Sequence, residues 1–539
     1  MLSPMQSATT APSAATTPRA AAPRGRILYA IAAGCGVVAA LAAWGVAEVL
    51  AVFVGAASSP LFAVGSWVID LTPGWFKDLV IGLFGTGDKV FLFVCLGILV
   101  VVLAGLAGIL ELIRRPFGVL LLGLIGLVAL IAVMTRADAT YWWLLPTVAG
   151  TLVGVYVLVR AVDRLREWAA ASEPSRVPSS APERTRRSFL AFGIGVGAVA
   201  LVAGVVARTI NAGSVAIASA RSLVHLPKPV MPAPPVPAGA DLHLSGLSPY
   251  ITPSTDFYRI DTALQVPAVD PDTWKLTIDG MIGNPITLSF SQLLALPLEE
   301  HAITLACVSN DVGGDLVGNA VWLGYPVRKL LAQAKPRASA DMVLSRSVDG
   351  FAAGTPLSVL TDTGTDALIA VGMNGSPLPL EHGFPVRMVV PGLYGYVSAT
   401  KWLSRLTVTR FDQAQGYWTD KGWSAKGPIK TASRIDRPRD GASIPAGRYA
   451  VAGVAWDQHT GIRSVEVRVD NGPWQQARLA DTVSADTWRQ WVWEWDATRG
   501  NHQLQVRATN ADGYTQTSAV APPAPNGATG WHTISVTVR

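Results

Sequence analysis

The stretch HAITLACVSNDVGGDLVGNAVWLGYPVRKLL, residues 301–331, decides the fold of the second half of this chain. It contains Cys307, the only cysteine after residue 95, followed by a glycine-rich segment. Pro326 suits the first turn of a helix, where its missing N–H is not needed. The apolar positions after it share one helical face: Val327, Leu330 and Leu331. A single thiol in this half cannot form an internal disulfide, so Cys307 is either an inert core residue or a residue that takes part in the chemistry.

The whole sequence is too apolar for an ordinary soluble protein. Of its 539 residues, 50% are hydrophobic and 15% are charged, and the mean hydropathy is +0.35. Long apolar runs fill the first 210 residues, and the remainder has a globular composition. The net charge of +6 is not gathered into basic runs interleaved with aromatics, so nucleic-acid binding is not expected. We therefore predict a helical membrane region joined to a globular region.

Five apolar runs are long enough for transmembrane helices, which need about 20 residues each. They cover 27–55, 89–113, 117–135, 140–162 and 189–207. Arginines cluster before the first run, between the second and third, and before the fifth. Because positive residues favour the cytoplasm, we predict four transmembrane helices over 27–162, a cytoplasmic loop over 163–188 and a fifth helix over 189–207. The globular half is then extracytoplasmic, and 1–26 is a disordered cytoplasmic tail.

Histidine placement limits the redox chemistry of the membrane region. All seven histidines lie at or after His225. Haem iron needs axial ligands such as histidines on facing helices, so no haem is expected there. The region is better interpreted as an anchor, a docking surface or a quinone-contacting bundle. Electrons would then pass to a separate partner, a quinone or a cytochrome.

The globular half divides into three segments by composition. Residues 208–240 include LPKPVMPAPPVPAG and predict a semi-rigid, extended linker. Residues 241–428 mix short strands with helix starts, one of them capped by Ser289 or Ser291. Residues 429–539 alternate apolar and polar positions with turns at 471–472 and 512–513, a pattern typical of an antiparallel β-sandwich.

Three motifs in a fixed order give a family resemblance. They are TPSTDFYRIDTALQVPAVDPDTWKLTIDG (252–280), the stretch 301–331, and MNGSPLPLEHGFPVRMVVPGLYGYVSATKWLSRL (373–406). Together they resemble the sulfite oxidase family of molybdenum enzymes. The resemblance implies an α+β molybdopterin-binding domain over 241–428 and an immunoglobulin-like dimerisation domain over 429–539, hence a homodimer. It does not extend to the membrane region.

The resemblance implies a site built around Cys307, whose soft thiolate would bind molybdenum and lose its proton on binding. The positions corresponding to cofactor contacts are Phe257, Tyr258, Cys307, His382, Arg387, Gly395, Tyr396, Val397 and Lys401. Among them, the phosphate of the molybdopterin would meet the cationic side chains and the backbone amides of the glycine loop. Arg259 corresponds to a cation that receives an oxyanion substrate. The cofactor would thus be molybdenum–molybdopterin, acting on a small oxo or oxyanion substrate.

Two departures from the family pattern weaken sulfite as the substrate. The family's sulfite-oxidising members have a tyrosine near the metal, where this chain has Phe351, so a phenol able to share a proton is expected to be absent. Basic residues that follow the cysteine in those members are replaced here by a segment ending in Asp311. Asp349 could add a carboxylate close to the pocket. The alternatives are a reductase of sulfoxide-like or other oxo substrates, and a non-catalytic envelope protein that retains the fold.

The loop before the fifth run contains TRRSFL, 185–190, which has the shape of a twin-arginine export signal. Such signals normally begin a chain. The resemblance explains an internal one, because it implies a cofactor inserted in the cytoplasm and a domain exported already folded. The competing interpretation is that Arg186 and Arg187 are ordinary positive-inside residues.

Overall fold

The computed structural model describes residues 25–55, 58–73, 76, 79–80, 83–84, 87–136, 139–171, 181–211 and 214–539. The chain divides into two compact units, 1–211 and 212–539. The predicted disordered tail, 1–26, lies outside the described residues except for its last two positions.

The first unit is helical throughout its described part. Its helices are α1 Arg26–Val54, α2 Pro60–Leu71, α3 Asp88–Ile113, α4 Phe117–Met134, α5 Leu144–Ala171 and α6 Ala181–Asn211. Five of them, all but α2, are long and apolar enough to cross a membrane, by length and composition. α1 packs against α3 so closely that a side chain at Gly36 would meet the backbone of Ala104. Small residues are what allow such close approach between apolar helices.

The structure corrects the predicted loop over 163–188. α5 continues to Ala171 and α6 begins at Ala181, so only 172–180 remain, outside the described residues. The prediction placed the helix ends where charges begin. A charge is costly inside a bilayer, but Arg, Glu and Ala are good helix formers, so a helix continues past its apolar run. Arg186 and Arg187 are consequently exposed residues of a helix rather than of a loop.

The predicted linker, 208–240, is also more ordered than expected. A helix, α7 Ser214–Leu223, occupies part of it, and Arg221 donates hydrogen bonds to the carbonyl oxygens of Leu378 at 2.7 Å and Pro377 at 2.6 Å. Beyond α7, the Val230 amide donates to the Leu298 carbonyl at 2.8 Å. The prolines keep this segment extended, and the residues between them bond it to the domain that follows.

Residues 241–428 form two sheets with short helices. The strands are β1 Lys275–Gly280, β2 Ile286–Ser289, β3 Glu299–Ala306, β4 Val317–Pro326, β5 Met342–Ser347, β6 Ala352–Pro356, β7 Leu368–Met373, β8 Ser376–Pro377, β9 Arg387–Val389 and β10 Leu403–Thr409. The helices are α8 Phe290–Leu294, α9 Val327–Ala334, α10 Leu357–Thr361 and α11 Tyr417–Asp420. One sheet has the order β2-β1-β10-β5-β6, and the other β3-β4-β7-β8, with β9 paired to β7. Since β1 and β10 pair in parallel and the others antiparallel, this is an α+β domain.

Two local predictions in this domain are confirmed. Ser289 caps α8 in a reciprocal capping box with Gln292, so the cap is Ser289 and not Ser291. α9 follows Pro326 and buries the predicted apolar face of Val327, Leu330 and Leu331. The capping box is made by residues three positions apart, and the apolar face of α9 follows from helical spacing, so both patterns are visible in the sequence.

Residues 429–539 form the predicted β-sandwich. Its strands are β11 Ala432–Arg437, β12 Ser443–Ile444, β13 Gly447–Trp456, β14 Ile462–Val469, β15 Gln475–Gln476, β16 Arg478–Leu479, β17 Arg489–Ala497, β18 Gly500–Asn510 and β19 His532–Val538. The two sheets have the orders β11-β13-β17-β16 and β12-β19-β18-β14-β15. Alternate apolar residues of both sheets form its core.

The sandwich packs against the preceding domain through buried polar contacts. Trp456 and Trp488 belong to the core of that domain, and the Trp488 indole N–H donates to the Tyr250 carbonyl at 2.8 Å. The Gln458 side chain donates to the Thr304 carbonyl, also at 2.8 Å. Trp456 and Trp488 of the sandwich thus contact the preceding domain.

Candidate active site

Cys307 lies at the start of a hairpin loop, directly after β3. Its amide donates to the Leu316 carbonyl at 2.9 Å, and its carbonyl accepts from the Asn310 amide at 3.2 Å. The Asn310 side chain in turn accepts from the Leu316 amide at 2.9 Å. These bonds fix the backbone of the loop. Cys307 is only 8% exposed, and its thiol lines a cavity.

Two adjoining cavities, of about 110 and 440 Å³, share the ring of Phe257. They form a cleft large enough for an extended ligand rather than a single ion. The first is lined by nine of the predicted site residues, Phe257, Tyr258, Cys307, Asp349, Phe351, Arg387, Gly395, Tyr396 and Lys401. The second is lined by Phe257, Arg259 and His382. The fold therefore collects residues that are up to 144 positions apart in sequence, from Phe257 to Lys401.

Arg387, on β9, is the most informative residue of the site. It is 4% exposed and lies over the Trp322 ring, 4.9 Å from its centre, and it donates one hydrogen bond, to the His382 carbonyl at 3.2 Å. Its Nε is buried and has no hydrogen-bond partner, and no carboxylate pairs with the guanidinium, among the residues that the structure describes. Burial lowers its pKa to about 10. A buried cation without a counterion is costly, so this position fits an anionic ligand.

His382 differs from the cation that the sequence predicted. Its Nε2 donates to the Ser254 carbonyl at 3.0 Å, and its ring meets that of Phe257 edge to face at 5.6 Å. Burial, with Arg387 and Lys401 adding to it, lowers its pKa to about 3. At neutral pH it is an uncharged ring. It can shape the cleft and donate a hydrogen bond, but it does not supply positive charge.

Asp261, which sequence reasoning missed, pairs with two cations at once. Its Oδ2 accepts from Lys401 at 2.9 Å and from Arg259 at 3.1 Å, and its side chain is 5% exposed. Burial lowers the pKa of Lys401 to about 8, while Asp261 opposes that shift. The only signal in the sequence was an acid two positions after Arg259. Arg259 lines the second cavity and not the one that contains Cys307.

A phenol is present after all, at another position. Tyr258 lines the same cavity as Cys307, close enough that the thiol and the Arg387 guanidinium both influence it electrostatically. Burial raises the pKa of Tyr258 above its ordinary value. The family resemblance had placed Tyr258 among the cofactor contacts, and Phe351, which carries no hydroxyl, lines the same cavity.

Gly395 and Tyr396 line the cavity as predicted, but Val397 does not. The Val397 amide donates to the Tyr394 carbonyl at 3.1 Å, and its carbonyl accepts from the Thr355 hydroxyl at 2.5 Å. Its backbone is therefore used within the loop. The turn needed by Gly395–Val397, a short 3-10 helix, consumes the amide that the sequence assigned to the ligand.

The mouth of the first cavity is aromatic. Phe351 contacts Tyr417 at 6.0 Å between ring centres, and the chain of rings continues through Trp418 and Trp423 to Tyr396 at 5.3, 6.0 and 5.9 Å. These rings exclude water and offer apolar contact.

Two acids near the cysteine lie in different places. Asp349 lines the aromatic mouth and accepts from the Phe351 amide at 3.2 Å, and surrounding protein atoms raise the pKa of its carboxyl above the ordinary value. Asp311 instead lines a separate small cavity of about 50 Å³ behind the Cys307 loop. Of the two acids, only Asp349 lines the cavity that contains Cys307.

Cys307 would be a solitary protein ligand to a metal. Among the described residues, no group of three or more His, Cys, Asp or Glu side chains could hold a metal ion. A metal bound at Cys307 must therefore bring most of its ligands with it, on an anionic carrier that satisfies Arg387. Molybdopterin, with its dithiolene and phosphate, has that chemistry, so the residues fit the group.

Comparisons with known proteins match both β-containing domains of this chain. Residues 263–418 match the family described as "Oxidoreductase molybdopterin binding domain", and 432–506 match "Bacterial Ig domain". Mitochondrial sulfite oxidase of Homo sapiens is 30% identical over 321 residues, which cover 51% of this chain and 58% of that protein. The oxidoreductase YuiH of Bacillus subtilis is 33% identical over 159 residues, covering 29% of this chain and 76% of YuiH. Sulfane dehydrogenase SoxCD of Paracoccus pantotrophus aligns with a TM-score of 0.47 at 22% identity, over 53% of this chain and 81% of that one.

Proposed function

Because this chain belongs to the sulfite oxidase family of molybdopterin-dependent oxidoreductases, we propose that it binds molybdenum–molybdopterin and catalyses oxygen-atom transfer. The matched region spans only 58% of human sulfite oxidase, so activity, substrate and partners are proposals here. The observation that carries the proposal is the buried, unpaired guanidinium of Arg387 in the same cavity as Cys307.

The side chains divide the work of holding the cofactor. When bound, the cofactor supplies two-electron redox chemistry coupled to transfer of one oxygen atom. Cys307 would hold the metal: burial raises the pKa of the free thiol, while Ser309 and Lys401 favour the thiolate. Arg387 and Lys401 would bind the anionic parts of the carrier. Phe257 and the aromatic mouth would orient it and exclude water.

Metal analysis of the purified full-length chain tests this assignment. We expect about one molybdenum per chain and a protein sulfur neighbour in X-ray absorption. Cys307→Ser should remove that neighbour, whereas Cys95→Ser, at an exposed cysteine of α3, should leave it intact. A stable, metal-free wild-type protein would instead support the non-catalytic envelope protein.

The mouth favours a second candidate over sulfite oxidation. Asp349 places a carboxyl group in the aromatic mouth, where an oxyanion would enter. Apolar rings suit a neutral oxo compound such as a sulfoxide better than a dianion. A parallel assay of sulfite oxidation and sulfoxide reduction, on one molybdenum-loaded preparation, separates the two candidates by their kcat/KM values.

We also propose that the oxidoreductase domain is extracytoplasmic and membrane-anchored, exported by the twin-arginine route. Five apolar helices, positive clusters before α1 and within the first turns of α6, and exposed Arg186 and Arg187 support this. Arg186→Lys with Arg187→Lys keeps the charge, so it separates export from the positive-inside effect. We expect the domain to become resistant to external protease. Arg176→Lys with Arg184→Lys, in the same segment, is the matched control and should leave accessibility unchanged.

Electrons would be exchanged with a separate quinone or cytochrome, and the sandwich would support a homodimer. The homodimer is what the family resemblance implies. The separate electron partner follows from the absence of a haem or iron–sulfur pattern in the sequence. Light scattering in detergent tests the dimer: a mass of one chain would contradict it.

A further inference from the structure

The loop 391–397 forms one side of the first cavity. Two separate segments of the chain contact it. On one side the Tyr394 amide donates to the Gly427 carbonyl at 2.7 Å, and the Ile429 amide donates to the Gly392 carbonyl at 2.9 Å. On the other side lies the turn between β13 and β14, which belongs to the sandwich and carries His459.

His459 bridges the sandwich to that loop. Its Nδ1 lies 2.9 Å from Asp486 Oδ1, and its Nε2 lies 3.2 Å from the Pro391 carbonyl oxygen. The His459 amide donates to the same Asp486 oxygen at 3.0 Å, and its backbone has a left-handed φ of 68°. Such a backbone is strained for a residue other than glycine. Asp486 thus fixes both the backbone and the ring of His459.

The charge state of His459 follows from its two partners. A carboxylate and a carbonyl both accept hydrogen bonds, so both ring nitrogens must carry a proton to satisfy them. The charged groups that face the ring are Asp486 and, at longer range, Asp362 after α10, and both raise the pKa of His459. The bridge is therefore made by an imidazolium.

The loop is shaped to receive this ring. Gly392 has a φ of 78°, and a side chain there would collide with His459. The missing side chain of Gly392 therefore allows close approach of the imidazolium. Three positions further on, Gly395 and Tyr396 line the cavity.

We propose that His459, held by Asp486, is a positioning residue that fixes the cavity loop through the charge of its ring. As pH rises through its pKa, the ring loses a proton and one of its two bonds loses its donor. The loop then opens more often, and the site becomes sensitive to pH through a residue of the sandwich. This goes beyond oxygen-atom transfer and does not depend on which substrate is used.

The sandwich contains a matched control. His502 pairs with Asp470 at 2.6 Å, and that carboxylate raises its pKa as well. The other contact of His502 is with the Thr498 carbonyl, at 2.8 Å. Asp470→Asn therefore removes an equivalent charge from an equivalent histidine without touching the loop.

Amide hydrogen exchange of 393–397, in the full-length molybdenum-loaded protein from pH 5 to 9, tests the proposal. After correction for intrinsic rates, wild-type protection should fall about fivefold across the pKa of His459, the factor that one net hydrogen bond gives. Asp486→Asn should shift this fall to lower pH by about one unit. His459→Gln, which cannot titrate, should give a flat profile and covers the case in which Asp486→Asn fails to fold.

Superimposable profiles for Asp486→Asn and the wild-type protein would overturn the proposal, as would an equal shift in Asp470→Asn. A pH-independent loss of protection in both His459 and Asp486 variants would reduce His459 to a structural residue. Since exchange is measured without turnover, these results stand apart from success or failure of the proposed activity.

Discussion

The inner wall of the cleft, formed by Arg387, Lys401 and Asp261, differs from the aromatic mouth in how its charges are balanced. At the inner wall, Arg387 is buried with no counterion among the described residues, and a single carboxylate, Asp261, is shared by two cations. At the mouth, aromatic rings pack against each other and Asp349 keeps partial exposure. The inner wall is incomplete without a ligand, whereas the mouth is complete without one. We therefore expect changes at the inner wall to alter stability and cofactor retention, and changes at the mouth to alter substrate use.

The largest effect is expected at Asp261. Asp261→Asn leaves Lys401 and Arg259 facing each other without their shared anion, which should lower the free energy of unfolding by about 3 kcal/mol. Asp349→Asn, the same change at the mouth, should cost about 0.5 kcal/mol or less. Urea unfolding of the metal-free proteins measures both. Equal losses would remove the distinction between the two regions.

Arg387→Met should weaken retention of molybdenum by roughly 10- to 100-fold, the range for losing a hydrogen bond to a charged group. The metal-free variant should be at least as stable as wild type, because an unpaired buried charge is replaced by an apolar chain of similar length. Metal content after dialysis and thermal unfolding provide the two readings. A strongly destabilised apoprotein would show that Arg387 is structural.

His382 should give the metal-free protein an acid sensitivity. Its folded pKa of about 3 lies below the ordinary value of 6.5, so the unfolded chain binds one more proton between these values. Stability from this group is complete above about pH 6.5 and is lost as pH falls, by roughly 2 kcal/mol at pH 5.

Two variants separate that effect from other histidines. His382→Asn should flatten the pH dependence of unfolding between pH 7 and 5. His532→Asn, at a buried histidine of the sandwich with a pKa of about 4, should flatten it comparably without affecting molybdenum retention. If neither changes the slope, the histidines do not carry the acid sensitivity.

The smallest effect is expected at Phe351. Phe351→Ala removes one half-buried ring of the mouth, so KM should rise by roughly three- to tenfold while molybdenum content stays unchanged. Steady-state kinetics on loaded enzyme measure the split between KM and kcat. A loss of metal in this variant would place Phe351 with the inner wall.

Sequence reasoning succeeded where a pattern depends on neighbours along the chain. The apolar runs found five helices, with bounds that agree closely with α1, α3 and α4 and that overlap α5 and α6, since hydrophobic length is a local property. It failed at helix ends, where the predicted loop 163–188 is largely helical, and at the linker containing α7. There, helix propensity and distant hydrogen bonds outweighed charge and proline content.

Within the site, residue types could be predicted but their partners could not. Eleven of the predicted residues line the cleft, because the ordered motifs identified them. Asp261 was missed, since its pairing with Lys401 joins two segments that are distant along the chain. Val397 was assigned wrongly because the path of a tight turn decides where an amide points.

The sequence by itself determined that an apolar helical region precedes an α+β domain and a sandwich, and that one thiol stands among the site motifs. Periodicity, run length and residue order are written in consecutive residues, so they need no fold to be read. Only the tertiary structure decided which charges are neutralised, which remain open to an anion, and that a histidine of the sandwich reaches the cavity loop. Pairing and burial depend on distances between residues far apart in the chain, and those distances exist only after folding.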